Sequence, residues 1–204
     1  FFLQANRQLD SPEGSRGREW LGKVRVVSQT QPLIPPKLVP GVFDTVSQAL
    51  YLNRWLDLQY VNLAGHRSNI RVMPLGLAQQ GPRLYLVCRY EGFDNERSLA
   101  LHRILKAEVS ASEFPRPSDF RLDQYDDDGR FGFGEGRRIS LVFVIDRGPG
   151  RHLLETPLSR DQIVKEVGDR LEVTATVVES SQLKWWLRGF GSAVTVVSPA
   201  DLLK

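Results

Sequence analysis

The sequence predicts an α+β protein that is mainly β and is built in two parts. Residues 42–112 contain one segment with helical periodicity, followed by about five short apolar segments bounded by turns. Residues 126–204 alternate between strand-like and helix-like segments. A connector rich in Pro, Gly and Asp lies between them. These observations favour a small β-barrel or strongly bent sheet, followed by one sheet with helices on a single face.

The helix of the first part begins after a proline-rich stretch. QTQPLIPPKLVPG has four prolines, a density that opposes helix and central strand and favours an extended connector. VFDTVSQALYLNRWLD follows, and its apolar residues recur at helical spacing from Val42 to Leu56. We therefore place a boundary before Val42 and expect one face of the helix to pack on a core.

Short strands are predicted after the helix. LDLQYVN alternates, with Leu58 and Tyr60 in step, and LAGHRSN is typical of a turn. IRVMPLGLAQ predicts a second strand that Pro74 interrupts. PRLYLVCRYEGFDNERSLALHRI predicts two strands joined by a polar turn, and LKAEVS completes the set. Cys88 alternates with apolar neighbours in this hairpin, so we expect it to be buried.

The second part is predicted to alternate strand, helix, strand, helix and strand. RRISLVFVID, RLEVTATVVES and SAVTVVSP predict the strands, and SRDQIVKEVGD opens with residues that start helices. SQLKWWLRGFG predicts the second helix, with Leu183, Trp186 and Leu187 facing inward. It should end at Gly189 or Gly191, because glycine commonly follows a helix. One side of the central strand carries Leu171, Val173, Ala175 and Val177.

Composition and charge bound the class of protein. Lys and Arg (27) exceed Asp and Glu (24) by 3, a mild excess that permits a nucleic-acid partner without requiring one. A single cysteine excludes a disulfide within the chain, so we expect a reducing compartment, the cytoplasm. No apolar run is long enough to span a bilayer. Because the chain begins FFLQANRQL without Met, we expect it to be part of a longer protein.

No motif in the sequence indicates catalysis. Gly-x-Ser-x-Gly, His-Glu-x-x-His, a Walker loop and paired cysteines are all missing from the sequence. FGFGEG is interpreted as a turn, because it neither follows a clear strand nor opens a helix. We therefore expect no enzymatic activity, no cofactor and no metal site.

Basic residues are concentrated on the predicted hairpin. Alternation places Arg83 and Arg89 on one face of its first strand, and Arg97 and Arg103 on one face of its second. A straight strand would separate Arg97 from Arg103 by about 20 Å, too far for one small anion. An oligonucleotide backbone can bridge that distance, and the planar fork of Arg suits phosphate. The pattern therefore favours an extended polyanion as ligand.

The same hairpin carries a resemblance to a known family. RLYLVCRYE followed by RSLALHRI resembles the WYL domain, with Leu84 at the position of the family's Trp. The preceding LDLQYVNLAGHRSNIRVMPLGL fits the family pattern through Tyr60, Arg71 and Pro74. LKWWLRGFGSAVTVVSPADLL resembles the extension that often follows this domain. The resemblance covers residues 42–204, with its two halves in the family's order.

The resemblance implies a fold for each part and a role for the whole. Residues 42–112 would form an Sm-like, five-stranded barrel that senses a ligand, often nucleic acid or a nucleotide-like molecule. Residues 113–125 would be a linker, and residues 126–204 a ferredoxin-like extension domain. Residues 1–41 would be a linker and the remnant of an N-terminal DNA-binding region. Bacterial transcriptional regulators of this family usually carry a winged helix-turn-helix there.

We therefore expect the barrel to bind nucleic acid or a nucleotide-like ligand through an Arg/Tyr-rich surface. Tyr rings can stack on bases or donate to phosphate. We also expect a homodimer, because dimer symmetry matches paired half-sites on DNA. Its interface would include Trp185, the exposed member of the Trp pair. The predicted ligand-binding residues are Tyr60, Asn62, His66, Arg67, Arg71, Tyr85, Arg89, Arg97 and Arg103.

Two other functions fit the same residues. A single-stranded nucleic-acid-binding accessory domain of a helicase or nuclease would use the same groups. A protein-interaction module would instead pair the arginines with an acidic partner. Individually, strand-end arginines also commonly form structural ion pairs, Tyr60 and Tyr85 also fit a core, and His66 and His102 also fit a solvated surface.

Overall fold

The computed structural model describes Lys23, Val27 and residues 31–204. Most of the predicted N-terminal remnant over residues 1–41 therefore lies outside the described residues. The chain divides after Arg116 into two compact units. Within the part that the structure describes, no helix combines the length and the apolar character needed to cross a membrane.

The first unit begins with helix α1, Val42–Leu52. The helix ends before Leu56 because Asn53 adopts the left-handed conformation (φ 50°, ψ 47°), which Asn tolerates better than most non-glycine residues. The Asn53 amide donates to the carbonyl of Leu50 at 3.5 Å and closes the last turn. Leu56 therefore belongs to the first strand rather than to the helix.

Five strands follow: β1 Arg54–Val61, β2 Arg67–Gln80, β3 Arg83–Tyr90, β4 Glu96–Ala100 and β5 Ile104–Glu113. They are hydrogen-bonded in the order β4-β3-β2-β1-β5, and every neighbouring pair is antiparallel. A helix followed by five strands in this order is the predicted Sm-like arrangement. Among the described residues the two edge strands, β4 and β5, do not pair, so the sheet is open rather than a closed barrel.

Strand β2 has 14 residues and serves two neighbours in turn. Its first half pairs with β1, and its second half pairs with β3. The sequence predicted that Pro74 interrupts this strand, but the strand continues through Pro74. This residue lies at a register shift between Pro74 and Gly76, where a proline without an N–H is tolerated. The bulge lets one long strand bend from one partner to the next.

The core of the first unit lies between α1 and one side of this sheet. Val42, Val46 and Ala49 recur at helical spacing and confirm the predicted packing face of α1. Cys88 is buried as predicted, and burial raises the pKa of its thiol to about 12. The buried strand and turn residues of this core are Leu56, Leu58, Tyr60, Val72, Leu86, Cys88, Leu99, Leu101 and Ile104.

The Cys88 thiol should be unreactive in the folded protein. Its raised pKa leaves almost no thiolate at neutral pH, and the thiolate is the nucleophile. We expect DTNB to leave the native protein unmodified and to modify the guanidinium-unfolded chain at once. Cys88 is the one cysteine of the sequence, so the released chromophore reports on it alone. Rapid modification of the native protein would instead show that β3 opens locally.

The second unit is built on a four-stranded antiparallel sheet. Its strands are β6 Gly134–Asp146, β7 Ile163–Val167, β8 Arg170–Ser180 and β9 Val194–Ser198. They are hydrogen-bonded in the order β7-β8-β6-β9.

Helical segments connect the outer and inner strands of this sheet. Helix α2, Leu122–Asp127, precedes β6. Helix α3, Arg147–Gly150, and the 3-10 turn Arg151–Leu154 connect β6 to β7. Helix α4, Ser181–Gly189, connects β8 to β9. The succession of strand, helix, strand, strand, helix and strand in this sheet order is the predicted ferredoxin-like arrangement.

The predicted helix over SRDQIVKEVGD is wrong, because this segment contains β7. A two-residue turn of Gly168 (φ 59°) and Asp169 joins β7 to β8 as a hairpin. The residues that resemble a helix start form a different turn. The Asp161 carboxylate accepts hydrogen bonds from the Ser159 hydroxyl at 2.5 Å and from the Thr176 amide at 3.3 Å. Ser and Asp side chains compete with helix formation in this way.

The core of the second unit confirms the predicted inner sides of β8 and α4. The Ser180 hydroxyl caps α4 by accepting from the Leu183 amide at 3.1 Å. Leu187 is fully buried, and Leu183 and Trp186 pack against the core. The Trp186 ring meets Phe143 edge-on, with ring centres 6.1 Å apart. The buried residues of β8 are Leu171, Val173, Ala175 and Val177.

The predicted linker over residues 113–125 contains two buried aromatic residues. Phe114 packs edge-on against Trp55, with ring centres 5.8 Å apart. Phe120 packs against Tyr125, with ring centres 6.1 Å apart. The boundary between the two units falls between these rings. Each unit therefore holds one end of the connecting segment by an aromatic contact of its own.

Candidate functional site

Pairing between β3 and β4 places the hairpin arginines on two different faces of the sheet. Directly paired residues in an antiparallel ladder project from the same face. Arg97 pairs with Cys88, and Arg89 pairs with Glu96. Because Cys88 lies in the core, Arg97 is on the core side of the sheet and Arg89 is on the outer side.

On the outer face, Arg89 forms an ion pair with Glu96. Its Nε and Nη2 donate to Glu96 Oε1 at 2.9 and 2.6 Å. The two side chains are only 13% and 20% exposed. Charge-assisted bonds of this geometry between partly buried groups stabilise the hairpin. This ion pair is the kind of structural contact that the sequence left open for strand-end arginines.

Arg71, also on the outer face, is held by several groups. Its Nη2 donates to the Ser110 hydroxyl at 2.7 Å. Its Nε lies 3.9 Å from a carboxylate oxygen of Asp57 and 3.9 Å from one of Glu91. The guanidinium carbon lies 5.8 Å from the centre of the Trp55 ring. These contacts position Arg71 and compensate its charge.

On the core side, the Arg97 guanidinium stacks on two aromatic rings. Its carbon lies 4.5 Å from the centre of the Tyr90 ring and 5.4 Å from that of Phe93. Burial raises the pKa of Tyr90, and the charge of Arg97 opposes this rise. Arg97 is exposed, and no carboxylate of the described residues forms an ion pair with it. A stacked guanidinium keeps its N–H edge available to an anion.

The predicted alternation of the second hairpin strand ends at Ala100. A 3-10 turn, Leu101–Arg103, follows β4. Leu101 begins the turn and Ile104 follows it. Both are fully buried and hold the turn against the core. Arg103 is therefore on a turn, not in line with Arg97. The straight-strand separation of about 20 Å is then an upper limit.

The turn brings His102 and Arg103 beside Arg83, the first residue of β3. The last β3–β4 pair is Tyr85 with Ala100, two positions from Arg83 and from His102, and β3 also contacts the turn. Burial lowers the pKa of His102, and the charges of Arg103 and Arg83 lower it further. His102 is half-buried rather than fully solvated.

The remaining predicted site residues lie around the β1–β2 turn and on β3. The Asn62 side-chain oxygen accepts from the backbone N–H of His66 at 3.0 Å, so Asn62 shapes the turn. His66 and Arg67 are exposed. Tyr60 is only 7% exposed in the core, and Tyr85 is half-buried. Tyr60 therefore offers no ring face to a ligand in this structure.

Two family models match the chain, in the order of its two units. The model of the WYL domain matches residues 41–109, and the model of the WCX domain matches residues 137–204. Together they cover two thirds of the sequence. The chain contains a WYL domain followed by a WCX domain. No curated protein matches it.

Two solved structures are similar to this WYL-domain chain. Proteasome accessory factor B/C (PafBC) of Arthrobacter aurescens is 24% identical over 88% of the chain, with a TM-score of 0.42. A structure described as a CRISPR Cas-related protein is 17% identical over 79% of the chain, with a TM-score of 0.45. The chain spans 28% of the length of the first and 47% of the length of the second.

The WYL domain divides the predicted ligand residues among separate places. Arg71 and Arg89 are compensated on the outer face. Arg97 stacks on aromatic rings at the core side. Arg103 lies on the turn after β4. The structure therefore does not bring the nine predicted residues together on a single surface.

Four residues next to these arginines were not predicted as site residues. Tyr90 and Phe93 contact Arg97, and their signal in the sequence was the pair of aromatic residues around the turn RYEGFDNE. Arg83 and His102 lie beside Arg103, but their proximity depends on the β3–β4 register. Arg83 and His102 are identified only by the contact between β3 and the turn after β4, which the sequence alone does not reveal.

The residues around Arg97 and Arg103 offer guanidinium, imidazole and aromatic side chains to a ligand. Within the described residues, no three His, Cys, Asp or Glu side chains converge in a way that could hold a metal ion.

The Arg89–Glu96 pair should contribute measurably to stability. Arg89→Ala leaves the partly buried Glu96 carboxylate without its donor, so the free energy of unfolding should fall by about 1.5–3 kcal/mol. The double variant Arg89→Ala, Glu96→Ala should lose less than the sum of the two single variants, as measured by chemical denaturation. Losses that simply add would contradict a coupled pair.

Proposed function

We propose that this chain is the ligand-sensing, regulatory part of a bacterial DNA-binding transcriptional regulator, and that its WYL domain binds nucleic acid or a nucleotide-like molecule. The combination of a WYL domain with a WCX domain supports a regulatory, non-catalytic role. DNA would be contacted by a further region of the full protein, in the cytoplasm. The observation that carries the ligand class is the exposed Arg97 guanidinium stacked on Tyr90 and Phe93.

Arg97 and Phe93 together offer the two kinds of contact that a nucleotide accepts. The guanidinium fork makes parallel charge-assisted hydrogen bonds to phosphate oxygens. The Phe93 ring is 54% exposed and provides a face on which a base can stack. Tyr90 lies against the guanidinium and orients it. Arg89 lies on the neighbouring strand β3 and on the other face of the sheet. It is already paired with the Glu96 carboxylate and cannot replace Arg97.

Arg97→Ala should weaken oligonucleotide binding by about tenfold or more. The variant loses a charge-assisted contact worth about 1.5–3 kcal/mol. Arg97→Lys keeps the charge but loses the fork, so it should recover only part of the affinity. Fluorescence anisotropy with a labelled single-stranded oligonucleotide measures the affinity, and repeating it at several salt concentrations measures the number of phosphate contacts.

Arg160→Ala is the matched control, because Arg160 is an exposed arginine of the second unit with no ion pair among the described residues. It should leave the affinity unchanged. Equal losses in both variants would mean that net charge alone drives binding. Unchanged binding in Arg97→Ala together with a lower melting temperature would make Arg97 structural and would favour the protein-interaction function.

We further propose that the protein is a homodimer with an aromatic pair of the second unit at its interface. Trp185 is 57% exposed, as the sequence predicted, and Phe133 is 71% exposed. Their rings meet edge-on, with centres 5.8 Å apart. Phe133 has a φ of 60°, which costs a non-glycine residue on the order of 1–2 kcal/mol. An exposed aromatic pair held in this way suits an anchor between two protein surfaces.

Trp185→Ala should shift the protein from dimer towards monomer. Losing an aromatic anchor at an interface costs about 2 kcal/mol, which raises the dimer Kd by roughly thirtyfold. Sedimentation equilibrium over a range of concentrations measures this change. Leu154→Ala is the control, because Leu154 is a similarly exposed apolar residue (52%) of the same unit. A wild-type chain that stays monomeric at high concentration would contradict the proposal for this part of the protein.

A further inference from the structure

We propose that Arg83, His102 and Arg103 form a binding site for a phosphate group, separate from Arg97 and at the opposite end of β4. Arg83 begins β3, which contacts the turn after β4 that carries His102 and Arg103, and the charges of both arginines act on His102. The inference rests on the proposed function for the identity of the whole ligand. It deepens that function, because it gives the ligand a second phosphate contact.

The positive charge at this end of β4 is not balanced within the described part of the chain. Arg83 is exposed and Arg103 is half-buried, and neither side chain forms an ion pair or a hydrogen bond with a described residue. The charges that act on His102, from its own turn and from β3, are those of Arg103 and Arg83. Like charges at short range repel each other, and a bound anion would relieve this repulsion.

The His102 ring gives a second, independent indication of a missing partner. Its Nδ1 is buried and has no hydrogen-bond partner among the described residues. Buried polar atoms in folded proteins nearly always have one, so an exception calls for a ligand, an ion or a water molecule. Leu101 and Ile104, both fully buried, keep the ring on a fixed turn between the two arginines. The site is therefore positioned by the core and not by a mobile side chain alone.

Two guanidinium groups and an imidazole suit a tetrahedral oxyanion better than a planar carboxylate. Each guanidinium can donate two parallel hydrogen bonds to a pair of phosphate oxygens, and the imidazole can donate one more. Two arginine charges also match the charge of a phosphate monoester or of two neighbouring phosphodiesters. The chemistry of the side chains therefore favours phosphate.

The distance to Arg97 indicates a ligand with several phosphates. His102 is five positions after Arg97, a distance of at most about 17 Å in an extended chain. Tyr60 pairs with Ile104 and Val61 with Arg67, so Arg67 lies about 10 Å from the start of β5, which follows Arg103 directly. One phosphate group cannot reach all of these positions. A short oligonucleotide backbone can.

Arg83→Gln distinguishes a ligand site from a structural role. Removing one of two repelling charges should not lower the melting temperature in sodium chloride. It should abolish the additional stabilisation that inorganic phosphate gives the wild-type chain at equal ionic strength. Arg160→Gln, the control of equal charge, should keep the wild-type response. A phosphate response that survives in Arg83→Gln and in Arg103→Gln would overturn the site.

His102 can report on the site directly by proton NMR. A bound anion offsets the two arginine charges, so the pKa of His102 should be higher in phosphate than in chloride at constant ionic strength. His102→Gln assigns the resonance among the three histidines of the chain. A short oligothymidylate without a terminal phosphate should raise this pKa as well. By linkage, its affinity should then increase as the pH falls through the pKa of the bound form.

The variants keep the two proposals apart. Arg97→Ala should lose oligonucleotide affinity while the His102 response to inorganic phosphate remains. If His102 titrates identically in chloride, phosphate and oligothymidylate, the second site is wrong even where Arg97→Ala behaves as proposed. If His102 responds to phosphate but Arg97→Ala binds the oligonucleotide normally, the second site stands and the role of Arg97 is wrong.

Discussion

The register of β3 against β4 is the constraint on which the surface of the first unit depends. Cys88 is buried and pairs with Arg97, so Arg97 must emerge at the core side, where Tyr90 lies. Arg89, the residue after Cys88, emerges on the outer face and forms an ion pair with Glu96. A slip of β3 by one residue would exchange its two faces and carry Arg89 into the core, at a large cost in desolvation. The packing of β3 therefore determines which arginine remains available to a ligand.

Local pairing, not net charge, determines where this protein can attract an anion. The formal charge of +3 is small for 204 residues and predicts no strong long-range field. Carboxylates nevertheless compensate Arg71 and Arg89, while Arg97 and Arg103 have no such partner among the described residues. Arg97 lies near the start of β4, and Arg103 lies just after its end. A ligand with charges at a matching spacing would therefore be favoured over a single anion of equal total charge.

Periodicity made much of the fold predictable from the sequence, whereas long-range pairing did not. In β8 every second residue is apolar, and the buried side followed from that alternation alone. In β7 only five residues form the strand, and Ser159 and Asp161 before it resemble a helix start. The Asp161 carboxylate instead accepts from the amide of Thr176, which lies 15 residues away in the sequence. The candidate site shows the same limit, because Arg89 and Arg97 differ only in what the register places beside them.

The turn between β4 and β5 gives a bound ligand a physical way to act on the rest of the protein. β4 and β5 are the two edge strands of the open sheet, and the turn Leu101–Arg103 is the chain connection between them. A ligand changes a conformational equilibrium only by binding one state better than another. A ligand that contacts Arg97 and Arg103 together would favour the state in which β4 and this turn are held in register. Because α1 packs against β5, such a constraint would extend to this helix.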